Sequence, residues 1–385
     1  MENIFIICPV VVYNIKTVIK IPFLKKLALP EFSLEFLTGK PARVVGIDIG
    51  LHSAKVVQLR YERERAILET YGELLSEGYL KSAETTSGGG FLRYLDTDIV
   101  NLLKDLLREA NVTAKDAVIS IPSTASFVTT ISLPKLSPKE IEETLPYEAR
   151  KYVPIPIAEV VLDWEILDSE EDDNSAVLLV AVPKEIIGKF KRVAELAGIK
   201  TRALEIETFS LVRSLVGLEA TPTAIINLGH LSTTLAIVDK RRLRVSHNFG
   251  RGSQELTRSL EKGLGVTKER AEAIKREIGL AEKIEEKEIA SVIEPIVETL
   301  FGEIERSIAI YNRKAPRKVQ KINLTGGGSN LKGLIDYAST RLGLEVTRGN
   351  PFARITTPAF MQPILREIGP SFAVAVGLAL HEITN

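Results

Sequence analysis

The sequence predicts an α/β protein made of two similar lobes, and three stretches of the chain carry this prediction. Val44 to Leu59 and Ala224 to Val238 each combine two strands rich in β-branched residues with a short polar turn. Ile322 to Leu334 combines a strand, three consecutive glycines and the start of a helix. Because the hairpin pattern occurs twice, once at the opening of each half, we expect two lobes of the same fold that face each other over a polyphosphate.

The first hairpin holds polar groups suited to a metal and to phosphate. Its strands are apolar on both faces, as in a central strand pair, so a buried Asp48 needs a partner, and a hydrated Mg²⁺ is a suitable one. Gly50 and His52 offer backbone N–H groups, Ser53 a hydroxyl and Lys55 an ammonium, which together favour a phosphate chain. Taken alone, the stretch also fits a buried hairpin with a polar turn.

The second hairpin repeats the arrangement of the first. Asn227, Gly229 and Ser232 stand where the first hairpin has its aspartate, glycine and serine, and Thr233 follows. We therefore expect the second turn to contact phosphate as well, with Asn227 reaching the metal through a water molecule.

The triple glycine predicts a close approach of the backbone to a flat ligand. Gly326, Gly327 and Gly328 lack side chains, and Ser329 or Asn330 is expected to cap a helix whose N-terminus favours anions. A tight strand-to-helix turn is the alternative, although it needs only one or two glycines.

In this order, the three motifs resemble the two phosphate motifs and the adenosine motif of the actin-like ATPase superfamily. The resemblance implies an actin-like (ribonuclease H-like) duplicated fold, with ATP or ADP and Mg²⁺ in a cleft between the lobes. In chaperone-type members, a Glu and a Lys three residues apart on a helix touch ribose and adenine. Glu272 and Lys275 have this spacing and are assigned the same role, an ordinary surface ion pair being the alternative. Gly252, ahead of the helix after the second hairpin, is also expected to bind the nucleotide.

Two carboxylates are candidates for orienting an attacking water. Glu205 and Glu207 lie where a predicted strand passes into a helix, and superfamily members can carry an acidic or amide residue near this crossover. A carboxylate that starts a helix is also explained by the helix dipole. ATPase activity is expected to be slow at most, because Asn227 replaces an Asp often found in the second phosphate motif.

Composition excludes several classes of protein. The chain of 385 residues has 50 Lys+Arg and 50 Asp+Glu, so it lacks the overall basic excess of a nucleic-acid-binding protein. Cys8 is the sole cysteine, which fits a reducing cytosol and excludes a disulfide framework. The apolar run Ile4 to Val12 is too short to span a membrane and makes a poor signal peptide, so no direct membrane insertion is expected. Residues 1–40 are interpreted as an extension or an early start codon, or alternatively as a short surface-seeking segment.

A more specific resemblance depends on a predicted inserted subdomain, Ser126 to Val182. The segment Ser132 to Leu167 contains a strand, a capping-box helix and the start of a strand pair. Together with GIDIG, SAKVVQL, LTGGGSNLKGL, Asn350 to Phe352 and PSFAVAVGLAL, it resembles the type IV pilus assembly PilM family over residues 42 to 382. FtsA division proteins share the inserted segment, whereas actin and sugar kinases do not carry it there.

The PilM resemblance implies an ATP-binding adaptor at the cytoplasmic face of the inner membrane. Its expected partner is the cytoplasmic N-terminal peptide of a PilN-like membrane protein, held in a groove beside the inserted subdomain. Other platform proteins of the pilus and self-association are further expected contacts. Two alternatives remain open, a metabolite kinase of the same superfamily and an FtsA-like filament-forming scaffold.

The predicted domain boundaries follow from the motif positions. They are an extension (1–40), lobe 1 (41–125 and 184–220), the inserted subdomain (126–183), the lobe 2 core (221–250 and 319–368), a helical subdomain of lobe 2 (251–318) and a C-terminal helix packed on lobe 1 (369–385).

Overall fold

The computed structural model describes residues 43–62, 65–80, 90–169, 174–217, 220–280 and 287–381. The predictions for residues 1–40 lie outside this part of the chain. Among the described helices, none combines the length and the apolar content that a membrane span requires.

Strands and helices alternate along the chain. The strands are β1 (Arg43–Ile49), β2 (Ser53–Glu62), β3 (Arg65–Leu75), β4 (Asp116–Ile121), β5 (Phe127–Pro134), β6 (Val160–Ser169), β7 (Asn174–Pro183), β8 (Lys200–Ile206), β9 (Thr223–Leu228), β10 (Thr233–Asp239), β11 (Arg242–Phe249), β12 (Lys321–Thr325) and β13 (Glu345–Arg348). The helices are α1 (Asp96–Glu109), α2 (Pro138–Ala149), α3 (Lys184–Leu196), α4 (Glu207–Leu215), α5 (Ser253–Leu264), α6 (Lys268–Glu277), α7 (Lys287–Lys314), α8 (Leu334–Leu342) and α9 (Gln362–Ala379).

Two five-stranded sheets share one topology. The first has the order β3-β2-β1-β4-β8 and the second β11-β10-β9-β12-β13. In each, the first three strands are antiparallel and the last two add in parallel. The central hairpins also share a register, because Asp48 lies opposite Lys55 and Asn227 lies opposite Thr234. The predicted duplication of the α/β fold is therefore confirmed.

The chain forms two compact units, each with one of these sheets. The first contains the described residues of 43–214, together with 351–366 and 374–381. The second contains 215–350 and 367–373. In the second unit, the apolar faces of α5, α6, α7 and α8 cover the sheet and form its core.

The first unit contains the additional sheet, with the order β5-β7-β6. Helix α2 covers one face through Ile141, Leu145 and Ala149, all fully or nearly fully buried. The predicted capping box is present, since the Ser137 hydroxyl accepts from the Glu140 N–H and Glu140 accepts from the Ser137 N–H. Helix α2 continues through Pro146.

Two helix predictions near the C-terminus are wrong at their starts. Neither Ser329 nor Asn330 caps a helix, because Gly327–Asn330 forms a 3-10 turn and α8 begins only at Leu334, after the left-handed Gly333. The last helix begins at Gln362, seven residues before the predicted start at residue 369. Pro370 is retained inside α9, and its carbonyl accepts hydrogen bonds from Gly326 N–H and the Thr325 hydroxyl.

The C-terminal half of α9 packs closely on strand β1 of the first unit. A Cβ atom at Gly46 would lie 2.2 Å from the Ala375 carbonyl oxygen, and one at Gly377 would lie 2.0 Å from the Ser210 oxygen. Gly46 is therefore required by the packing of α9 on β1, and Gly377 by the packing of α9 on α4.

Candidate functional site

The first predicted phosphate turn is closed by a backbone hydrogen bond. The Gly50 N–H donates to the Ser53 carbonyl at 3.1 Å, and a Cβ at Gly50 would lie 2.7 Å from the same oxygen. The carbonyl of His52 accepts from the Ser76 N–H at 2.8 Å, which ties the turn to the end of β3. The turn is thus fixed by its own backbone and has no room for a side chain at residue 50.

Lys55 and Ser53 share a carboxylate on the neighbouring strand. The Lys55 ammonium donates to the Ser53 hydroxyl at 2.6 Å and lies 3.2 Å from Glu73. The Ser53 hydroxyl donates to Glu73 at 2.6 Å. Burial raises the pKa of Glu73, but the charge of Lys55 and the hydrogen bonds outweigh it and hold that pKa below its ordinary value. The lysine is held at the turn by these contacts.

Asp48 and Glu207 form a neighbouring pair of carboxylates in the first unit. Asp48 is 9% exposed and accepts from the Ser120 hydroxyl at 2.9 Å. Burial raises its pKa, while Lys55 and the Ser120 hydrogen bond act in the opposite direction. Burial and then the Asp48 charge raise the pKa of Glu207 to about 8, although the Ser123 N–H and hydroxyl both donate to it at 3.2 Å. A buried carboxylate whose pKa is raised by a second carboxylate forms, with that neighbour, a favourable place for a cation.

Glu205 lies two residues away and has a different environment. It is 5% exposed, and both its oxygens accept from Arg213, at 2.8 and 2.7 Å. The Ser210 hydroxyl also donates to it, at 2.6 Å. Burial raises the pKa of Glu205, but Arg213 more than offsets this and lowers it below the ordinary value. Of the two proposed catalytic carboxylates, Glu205 is thus engaged in a buried ion pair.

The second phosphate turn has the same backbone closure as the first. The Gly229 N–H donates to the Ser232 carbonyl at 3.0 Å, and a Cβ at Gly229 would lie 2.8 Å from that oxygen. The Thr233 side chain is buried and donates to the Arg251 carbonyl at 2.7 Å. A Cβ at Gly252 would lie 2.4 Å from the His230 oxygen. Gly252 therefore allows α5 to begin directly against the turn.

The three glycines of the third motif have different surroundings. A Cβ at Gly326, whose φ is +83°, would lie 2.5 Å from the Asn227 side-chain oxygen, and one at Gly328 would lie 2.5 Å from Leu228. Close packing against β9 therefore explains why residues 326 and 328 are glycines. At Gly327 the nearest atom to a Cβ would be the Ser371 hydroxyl, at 3.7 Å. Gly327 and Asn330 are exposed, so they are the positions of this motif that a ligand can reach.

Glu272 and Lys275 lie together on α6, as their spacing predicts. The Lys275 ammonium lies 2.6 Å from Glu272 and donates to the Thr257 hydroxyl at 2.9 Å. Thr257 in turn donates to Glu272 at 2.7 Å, and Arg276 donates to the other carboxylate oxygen. Burial raises the pKa of Glu272, but these three partners lower it to about 2, while burial lowers the pKa of Lys275. The pair also links α6 to α5.

Sequence reasoning missed three residues of the first unit that shape this site, Glu73, Ser120 and Ser123. Glu73 is recoverable, because the β2–β3 register places it opposite Lys55. Ser120 interrupts an otherwise apolar buried strand, which is a detectable signal. Ser123 follows that strand and carries no comparable signal. The first unit thus brings together Asp48, Lys55 and Glu207 with the turn, and the second brings together the Gly229 turn, Gly252, Gly326 and Asn227.

The duplicated sheets with paired turns define the class of this protein, which is the actin-like fold. MreB 5 of Spiroplasma citri bound to AMPPNP has a similar structure, with a TM-score of 0.50, 13% identity and coverage of 89% of this chain and 96% of that chain. The EutJ protein of Carboxydothermus hydrogenoformans gives a TM-score of 0.53 at 16% identity, covering 88% of this chain and 90% of the other.

A comparison over most of the chain identifies a narrower family. The family model described as type IV pilus assembly protein PilM matches residues 46–383. The chain therefore belongs to the PilM family of type IV pilus assembly proteins. A solved PilM–PilN type IV pilus biogenesis complex gives a TM-score of 0.76 at 24% identity, covering 89% of this chain and 98% of that one. Cell division protein FtsA of Enterococcus hirae is 22% identical over 357 residues, or 80% of this chain and 78% of its own.

Proposed function

We propose that the chain is an ATP-binding adaptor of a type IV pilus assembly platform, at the cytoplasmic face of the inner membrane. Its partner is the cytoplasmic N-terminal peptide of a PilN-like membrane protein. The PilM family match and the likeness to a PilM–PilN complex support the partner. The observation that carries the nucleotide is the pair of equivalent turns, closed by Gly50 and Gly229 on sheets of the same topology.

The residues present fit Mg·ATP. Within the described chain, no cluster of three or more His, Cys, Asp or Glu side chains is arranged to hold a metal. Mg²⁺ is commonly bound by one or two carboxylates together with substrate phosphates and water, and Asp48 with Glu207 supplies such a pair. Bound Mg·ATP would supply the phosphate charge that neutralises Lys55 and the metal charge that the two carboxylates favour.

The chain's own residues have distinct proposed tasks. Gly50, His52, Ser53, Gly229 and Ser232 position phosphate through the backbone and hydroxyl groups of the turns.

The remaining proposed tasks concern the nucleoside, the metal and the attacking water. Gly327 and Asn330 contact the nucleoside, and Glu272 with Lys275 orients it. Asp48 holds the metal, with Asn227 reaching it through water. Glu207 is retained as the group that orients water, since Glu205 is engaged by Arg213.

A kinase function is less well supported than an adaptor function. Phosphoryl transfer to a metabolite needs a general base at the reacting hydroxyl. With Glu205 in a buried ion pair, Glu207 is the candidate carboxylate left for this role, and the Ser123 N–H and hydroxyl already donate to it. An FtsA-like scaffold remains compatible with the fold and is distinguished by ATP-dependent pelleting.

Binding of the partner peptide tests the adaptor function. A synthetic peptide with the cytoplasmic N-terminal sequence of the PilN-like protein is titrated into the full chain, with and without Mg·ATP. We expect saturable binding whose affinity changes with the nucleotide, because two ligands that favour the same conformation of a protein strengthen each other's binding. No binding under either condition would contradict the proposal.

A pair of variants locates the peptide site. Tyr147 and Tyr152, on and just after helix α2 beside the β5-β7-β6 sheet, are 66% and 43% exposed. Exposed aromatic residues are common in interfaces. We expect Tyr147→Ser with Tyr152→Ser to weaken peptide binding about tenfold or more. Phe360→Ser is the matched control, because Phe360 is 68% exposed elsewhere in the first unit. Equal effects of both variants would show that the subdomain does not contribute to the peptide interface.

A further inference from the structure

The second unit carries a concentration of cations at the end of its sheet opposite the phosphate turn. We call it the basic end, and it consists of the β10–β11 turn (Lys240–Arg242), the end of α7 (Arg313 and Lys314) and the connection 317–321. Strand β9 starts here at Thr223 and reaches the phosphate turn six residues later, about 20 Å away. Residues 240–244 include four Lys or Arg and no acid, and residues 306–321 include six and no acid.

Contacts within the second unit bring these segments together. The Arg317 guanidinium lies 2.8 Å from Asp239, which ends strand β10, and it also donates to the Ala220 carbonyl at 2.6 Å. The Val319 N–H donates to the Asn312 side chain in the last turn of α7, at 2.9 Å. The turn, the helix end and the connection are therefore one surface.

Two acids of the second unit lie among these cations. Asp239 is 5% exposed and engaged by Arg317, and Glu345 pairs in register with Lys321. In the described part of the chain, the structure records no ion pair for Arg241 or Lys318. The segments of the basic end contain eight Lys or Arg residues against these two acids, so this end has a net positive charge although the whole chain has none.

The turn has an unfavourable backbone for the residues that it contains. Lys240 and Arg241 have φ values of 51° and 64°, in the left-handed region. Two-residue hairpin turns with both central residues in this region strongly prefer Asn-Gly. Two long cations occupy these positions instead, and strain of this kind is a reason to look for a role outside folding.

One exposed apolar residue accompanies the cations. Ile310 on α7 is 55% exposed, and it lies on the same helix face as Arg306 and Arg313 because they are four residues before and three after it. An aliphatic side chain flanked by cations suits the boundary between lipid headgroups and acyl chains. Binding to a nucleic acid strand would instead favour exposed aromatic residues for base stacking, and Ile310 is aliphatic.

We propose that the basic end is a docking surface for an anionic phospholipid bilayer. Lys and Arg side chains gain affinity from a negatively charged leaflet without crossing it, and Ile310 enters the headgroup region. The surface would add a direct membrane contact to the partner peptide of the proposed function. The inference rests on the proposed function only for the identity of the membrane that is bound.

Vesicle binding of the full chain, without any partner peptide, tests this inference. The probes are vesicles of phosphatidylcholine alone and vesicles in which about a third of the lipid is phosphatidylglycerol. We expect flotation with the anionic vesicles only, weakening as salt is raised because the contacts are exposed charges. Lys240→Asn with Arg241→Gly should lower the apparent affinity about 10- to 30-fold.

The same double variant distinguishes a loss of binding caused by lost charge from one caused by lost stability. Because Asn-Gly is the preferred turn, it should raise the thermal midpoint by about 2–4 °C while binding is lost. Lys262→Gln with Arg270→Gln, two exposed cations on α5 and α6, is the matched control and should bind as the wild type does.

Several results would overturn the inference. They are no flotation with anionic vesicles, equal flotation with neutral vesicles, wild-type binding by the turn variant, or equal loss in the control. Retention of an RNA oligomer without vesicle binding would assign the surface to nucleic acid instead. Peptide binding is measured separately, so failure here leaves the adaptor function standing.

Discussion

Asp48, Glu205 and Glu207 show how the surroundings of a carboxylate determine its pKa. Burial raises the pKa of Asp48, and burial with the Asp48 charge raises the pKa of Glu207, whereas Arg213 outweighs burial and lowers the pKa of Glu205. The sequence alone nominated Glu205 and Glu207 equally, because both stand at a strand-to-helix junction. Their difference depends on Arg213 beside Glu205 and on Asp48 beside Glu207, whose approach is set by the tertiary fold.

Replacing Glu207 is expected to change how stability depends on pH. Its pKa is about 8 in the folded chain against an ordinary 4.5, so the folded state keeps a proton that the unfolded chain releases. Stability therefore falls as pH rises between these values and is constant above them. Glu207→Gln keeps an acceptor for Ser123 and should remove about 1–3 kcal/mol of this loss between pH 6 and pH 9. Urea unfolding of both proteins at several pH values measures this change in the free energy of unfolding.

Glu205→Gln is the matched comparison, two residues away. It leaves Arg213 buried without its counter-charge and should destabilise the chain by about 3–5 kcal/mol at neutral pH. Parallel pH profiles for the wild type and Glu207→Gln, or a stable Glu205→Gln variant, would show that these environments are assigned wrongly.

At the scale of elements, the strands and hairpins were predictable and several helix starts were not. The repeated hairpins are local patterns of β-branched residues and turn glycines, so their sequence contains the required information. The start of α9 and the 3-10 turn at Gly327–Asn330 depend on partners far along the chain. Pro370 is accommodated because its carbonyl bonds to Gly326 and Thr325, which no local pattern reveals.

The triple glycine offers a direct contrast between packing and ligand access. Gly326→Ala should destabilise the chain by about 2 kcal/mol or more, because residue 326 has a φ of +83° and its Cβ would lie 2.5 Å from Asn227. Gly327→Ala should leave stability within about 0.5 kcal/mol, because its Cβ would meet nothing closer than 3.7 Å. Denaturant unfolding compares the two. Equal destabilisation would mean that Gly327 is also required by packing.

At the scale of the whole molecule, the duplicated architecture explains why one chain carries two matching turns. Motif order predicted the fold and the family, since three motifs in sequence are specific where each alone is not. Composition was less informative about surfaces. Equal numbers of acidic and basic residues gave no sign of the basic end, because an average over the chain conceals charge that folding brings together.

Calorimetric titration of Mg·ATP into the full chain tests the central claim most directly. The account predicts one nucleotide per chain, with affinity lowered about tenfold or more both by Asp48→Asn in the first unit and by Gly327→Val in the second. Both variants should remain folded by circular dichroism. Absence of binding, two independent nucleotides per chain, or wild-type affinity in either variant would contradict the proposed nucleotide site.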